Sequence, residues 1–170
     1  MKNLLYLSLL TIAILFFSCS DDDSTELRLN GTVILDGSSV EMSDGLIRDN
    51  GFDDSDSTYG YNFYLANGTV QTEDVFIQSS GGILVGLLLV NPGDSFVPGT
   101  FDLNFISRSE RHAKVYIFQD EVFKFATEGT VTVNGSEQSY EITIDADFAG
   151  DLTLTGSVEG EFRLEYGSSD

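Results

Sequence analysis

The chain has 170 residues, with 8 Lys and Arg against 28 Asp and Glu, so its formal net charge of −20 argues against a nucleic-acid binder, which phosphate would repel. One Cys and one His exclude an intrachain disulfide, a thiolate zinc cluster and a multi-histidine metal site. A hydrophobic fraction of 41% with only 21% charged residues excludes a disordered acidic tail.

Lys2 precedes an apolar run from Leu4 to Phe17, LLYLSLLTIAILFF. As a helix this run would reach about 21 Å, short of the ~30 Å bilayer core that needs roughly 20 residues. Its length and position are those of a signal-peptide h-region, which places a leader at residues 1–18. The run ends at Phe17-Ser18-Cys19, and Ser20, Asp21, Asp22 and Asp23 follow.

The small residue before a lone Cys resembles the lipobox of bacterial lipoproteins, although Phe17 stands where the commonest pattern has a small residue. That resemblance implies cleavage after Ser18 and lipidation of Cys19, which becomes the membrane anchor. More than one acyl chain is needed for stable anchoring. Ser20 and the acidic triplet resemble the surface-export signal of Bacteroidota lipoproteins. They imply an outer-membrane location with the domain facing the cell exterior. Residues 19–25 then read as the acylated Cys with an acidic tether, and residues 26–170 as one domain.

From Glu26 onward the period is two, which is the period of strands. Leu27, Leu29, Val33 and Leu35 form an odd series, and Tyr59, Tyr61, Phe63 and Leu65 another. Residues 83–90, ILVGLLLV, are apolar on both faces and predict a central strand covered on both sides. Phe101, Leu103 and Phe105 continue the odd pattern, as do Phe123, Phe125, Val131 and Val133. At the C-terminal end Tyr140, Ile142, Ile144, Ala146 and Phe148 alternate with polar residues, and Ala149-Gly150-Asp151 turns the chain. Leu152, Leu154, Val158, Phe162, Leu164 and Tyr166 return on even positions, with Gly156 and Gly160 as expected bulges or bends. Asn-Gly pairs at 30, 50, 67 and 134, and Asp-Gly pairs at 36 and 44, supply turn chemistry. The expectation is an all-β domain of eight to ten strands, an antiparallel β-sandwich or else a closed or partly open lipocalin-like barrel. The segments YGYNFYLANG, ILVGLLLV and SYEITIDADFAG also resemble small Bacteroidota lipoproteins with a β-sandwich body.

Catalytic motifs are missing: there is no G-x-S-x-G, P-loop or G-x-G-x-x-G. His112 lies in SRSERHAK between two strands and reads as a solvated loop histidine rather than as part of a triad. Asp49, Asp53, Asp54 and Asp56, with Asn50 among them, place hard oxygen donors in one loop, which makes Ca²⁺ the candidate ligand. The EF-hand spacing fails there, since Tyr59 would stand at its glycine position. Arg108, Arg111, His112 and Lys114 form a basic stretch that suits an anion or an acidic glycan. The function expected is a lipid-anchored cell-surface binding or structural module for a glycan, a peptide or a surface partner, not an enzyme. The alternatives are a small carboxylate-dependent hydrolase and a barrel that carries an apolar ligand.

Overall fold

The computed structural model describes residues 29–73, 76–104 and 110–166. The leader, Cys19 to Asp23, Leu27, Phe105 and Arg108 lie outside the described residues.

Thirteen strands occur among the described residues. They are β1 (Leu29–Leu35), β2 (Ser38–Glu41), β3 (Asp44–Asp53), β4 (Thr58–Ala66), β5 (Val70–Glu73), β6 (Phe76–Ser79), β7 (Ile83–Pro92), β8 (Gly99–Asp102), β9 (His112–Gln119), β10 (Val122–Ser136), β11 (Ser139–Phe148), β12 (Thr153–Glu161) and β13 (Arg163–Tyr166). The domain is all-β, as its period of two requires. It has more strands than expected, and eleven of them build one curled, mixed sheet shaped as a half-barrel. The order is β13-β3-β4-β7-β9-β8-β10-β11-β12-β1-β2, and β5 and β6 form a separate hairpin. Two pairings are parallel, β13 with β3 and β8 with β9.

The curl follows from how β10 is built. Residues 122–125 pair with β9, whereas residues 130–133 pair with β8 and residues 126–136 with β11. A register shift between Ala126 and Glu128 marks the bend. One extra residue in a strand reverses which side chains face inward. Val131 and Val133 are therefore buried in the core, while Phe123 and Phe125, in the same odd series, point outward and are 51% and 58% exposed. The single inward series expected from the sequence is two series on opposite faces.

A second crossing lies after β12. The hairpin of β11 and β12 keeps its register from Ser139↔Glu161 to Asp147↔Thr153, with every even residue of β11 buried. It was expected to run on to Tyr166. Instead the chain leaves at the fully buried Phe162, whose ring packs edge-on to Phe63 at 5.3 Å. The chain then pairs with β3 as β13, where Arg163 bonds Asp44 at 2.9 Å, and Tyr166 ends 77% exposed. Gly156 does not make a bulge, because the register runs unbroken past it. It lets β1 come close: a Cβ there would stand 2.4 Å from the Thr32 carbonyl oxygen.

β7 sits between β4 and β9, and both of its faces are covered. Val85, Leu87 and Leu89 join the main core inside the curl. Leu84 joins Leu46, Tyr64, Ala66 and Val70 in a second cluster on the outer face, to which Ile77 of the β5–β6 hairpin adds.

Of the six Asn-Gly and Asp-Gly pairs, Asp36-Gly37 makes a two-residue hairpin turn, between β1 and β2, with φ of 50° and 75°. Asn50-Gly51 is a bulge in β3, and Asn30-Gly31 and Asn134-Gly135 lie inside strands.

Candidate functional site

Strand β9 carries the site. Its even residues, His112, Lys114, Tyr116 and Phe118, all face outward, opposite Val90, Leu88, Gly86 and Leu84 of β7. Side chains two residues apart on a strand stand about 6.8 Å apart, so this row spans roughly 20 Å. Its first half is polar and its second half aromatic.

At the polar end a cleft of about 400 Å³ is lined by Asn50, Asp53, Asp56, Thr58, His112 and Lys114, among others. Two stretches that the sequence presented as separate candidates, the acidic loop and the basic one, meet here. His112 is not a solvated loop residue: it opens β9 and is only 7% exposed. Its Nδ1 lies 3.0 Å from the Glu110 carbonyl oxygen. A carbonyl only accepts, so Nδ1 carries the proton. Arg111 turns elsewhere. It donates to the Pro98 carbonyl at 3.0 Å, and its guanidinium sits 5.4 Å from the Phe101 ring centre.

Of the acidic residues, Asp53 and Asp56 line this cleft together, whereas Asp49 stands apart from them. The bulge at Asn50 puts Asp49 and Asp53 on opposite faces of β3. Asp49 faces inward, accepting from the Tyr59 hydroxyl and the Gly51 amide, both at 2.9 Å. Burial, with that bond to Asp49, pushes the Tyr59 pKa up to about 12. Asp53 lines the outer cleft and closes its own turn, accepting from the Ser55 amide at 2.9 Å and hydroxyl at 2.6 Å. Among the described residues no group of three or more His, Cys, Asp or Glu is placed to hold a metal ion. Among the same residues the buried polar side chains are Thr58, Asn91 and His112, with no carboxylate in the core.

The aromatic half was not anticipated as a site. Tyr116 lies across β7 over Gly86, where a Cβ would come within 2.2 Å of its ring. Burial raises the Tyr116 hydroxyl pKa above its ordinary value. Phe123 and Phe125, brought alongside by the β9–β10 hairpin, extend the surface. Phe118 and Phe123 stand 4.5 Å apart, and Tyr116 is 5.4 Å from Phe123 and 5.7 Å from Phe125. Glu121 and Gln78 give polar edges to a neighbouring cleft of about 350 Å³. The signal was present in the sequence as two aromatic doublets, YIF and FKF, on either side of the turn at Asp120-Glu121, with a glycine in the facing strand. Such a surface can stack or bury a ligand. No protein family, no curated protein and no solved structure matches the chain.

Proposed function

We propose that this protein is a lipid-anchored module of the outer membrane's outer face, and that it binds through the β9–β10 arm. The observation that carries the reading is the exposed pair Phe123 and Phe125, packed at tilted angles against Tyr116 and, for Phe123, Phe118. A large aromatic side chain left half in water forgoes much of the ~1.5–3 kcal/mol that its full burial would contribute. A contiguous group of them marks a contact surface rather than chance exposure.

The direction of β1 supports this. The described domain begins at Leu29, one end of β1. The other end, Leu35, lines the same cleft as Val122 and Lys124 at the tip of the arm. Seven residues of strand separate these ends by about 20 Å. A chain anchored at Cys19 would enter the described residues at Leu29, the end of β1 opposite the tip of the arm.

Three measurements test the reading. Cys19→Ser abolishes incorporation of labelled palmitate. Replacing Asp21, Asp22 and Asp23 with Ala leaves lipidation intact but removes protease accessibility on whole cells. The full chain in detergent, applied to glycan and peptide arrays, selects a ligand class that Phe123→Ser/Phe125→Ser does not select. Equal profiles for the parent and the double variant refute the assignment of the arm.

A further inference from the structure

Resting on the arm as the binding surface, we propose that residues 122–125 of β10 are a docking edge for an extended peptide segment of a partner protein. The segment is apolar at alternate positions and basic at its ends, and it joins the sheet as an added strand.

The edge is open. Residues 122–125 pair with β9 on one side, and pairing with β11 starts only at Ala126↔Phe148. Among the described residues no strand occupies the other side. The two-residue turn Asp120-Glu121 makes 119/122 and 117/124 the hydrogen-bonded pairs of the hairpin. The N–H and C=O groups of Phe123 and Phe125 therefore point to the open side.

This edge is also apolar at three of its four positions, Lys124 being the exception. Terminal strands of a sheet are ordinarily kept short, polar or charged. The two ends of this sheet follow that rule: β2 reads SSVE and β13 reads RLEY, each four residues long. The inner edge at 122–125 reads VFKF, with Val122 53% exposed beside the two half-exposed phenylalanines.

Both faces of an added strand would find apolar partners. On the outer face are the rings of Phe123 and Phe125. On the inner face is a cleft of about 430 Å³ between the two walls of the curl, lined by Leu35, Ile117, Val122, Lys124 and Leu152 among others. Main-chain bonds along the edge and alternate side chains on either face are the two parts of strand-addition recognition.

Charge selects the partner. Asp36, Asp120 and Glu121 rim the edge, against Lys124. A second copy would bring another formal charge of −20, and the two would repel. A segment with Lys or Arg at its ends is attracted instead.

The test uses the full chain in detergent and a panel of fluorescein-labelled seven-residue peptides, apolar at alternate positions with Lys at both ends. Binding is read by anisotropy up to millimolar peptide. We expect saturable binding, weakened at least tenfold when Glu replaces the terminal Lys residues. N-methylation of one set of alternate amides should weaken binding at least tenfold, and methylation of the other set by no more than twofold. Phe123→Ser/Phe125→Ser should abolish binding while the variant still melts cooperatively; Phe125→Lys is the second variant should the double one fail to fold. If both methylated sets bind alike while the double variant does not bind, the arm is the binding surface but strand addition is wrong. If the double variant binds like the parent, both readings fall. No binding by any peptide, or concentration-dependent dimers that Phe125→Lys abolishes, overturns the peptide assignment.

Discussion

Two hairpins of the same sheet treat their outer faces in opposite ways. In β11–β12 the outer face is wet: Thr143, Asp145 and Ser157 stand in water, with the Thr143 and Ser157 hydroxyls 3.3 Å apart. In β9–β10 the outer face carries Tyr116, Phe118, Phe123 and Phe125 in one contiguous group. A one-sided antiparallel strand needs only its inner face to fold. Folding accounts for the polar outer face of β11–β12; it does not by itself account for the half-exposed rings on the outer face of β9–β10.

The largest effects should follow the faces. Ile144→Ala, on the inner face of β11, should cost about 2–5 kcal/mol in a urea melt. Thr143→Ala, its neighbour on the wet face, should cost about 0.5 kcal/mol or less. Equal losses would erase the contrast between the two faces of β11. On the other wall the outer face should behave as a second core. Leu84 is fully buried there beneath the β5–β6 hairpin, so Leu84→Ala should cost about 2–4 kcal/mol, close to Ile144→Ala. A loss as small as that of Thr143→Ala would mean that the hairpin covers nothing.

A smaller effect sharpens the aromatic side of the comparison. Gly86→Ala would place a methyl group within 2.2 Å of the Tyr116 ring, which has to move. The cost expected is about 1–3 kcal/mol, typical of overpacking. Because Tyr116 supports Phe123 and Phe125, the variant should also change the near-UV circular dichroism of the rings. Unchanged spectra would show that Tyr116 does not lean on Gly86.

How much of this was legible in the sequence depended on local regularity. β11 could be read residue by residue, because ten positions alternate without a break. β7 could be read as covered on both faces from ILVGLLLV, although what covers its outer face could not: the β5–β6 hairpin meets it through tertiary packing. The phase change at Ala126/Glu128 left no mark in the alternation, since Phe123, Phe125, Val131 and Val133 are all apolar and all odd. A bulge adds a residue without changing composition, so two surface rings looked like core. The same device hid the fate of the acidic loop, where the bulge at Asn50 sends Asp49 and Asp53 to opposite faces. Consistent with that separation, millimolar Ca²⁺ and Mg²⁺ at equal ionic strength should shift the melting temperature alike. A Ca²⁺-specific shift lost in Asp53→Asn would instead restore a metal site.

The turn that separates β9 from β10 offers the smallest and most local test. Asp120 and Glu121 both have positive φ, 51° and 62°, the backbone of a two-residue turn that favours Asn-Gly. A side chain other than glycine in that region costs about 1–2 kcal/mol, and Asp tolerates it better than Glu because its short carboxylate bonds locally. Asp36-Gly37, in the β1–β2 hairpin, meets the same backbone demand with glycine at its second position, where φ is 75°. Glu121→Gly should therefore stabilise the domain by about 1 kcal/mol, less the entropy that glycine adds to the unfolded chain. Gly37→Glu should destabilise it by a similar amount. If Glu121→Gly instead loses stability, the Glu121 side chain makes a contact at the edge of the aromatic cleft worth more than the strain it relieves, and the tip of the arm is held in place by that residue rather than by its turn.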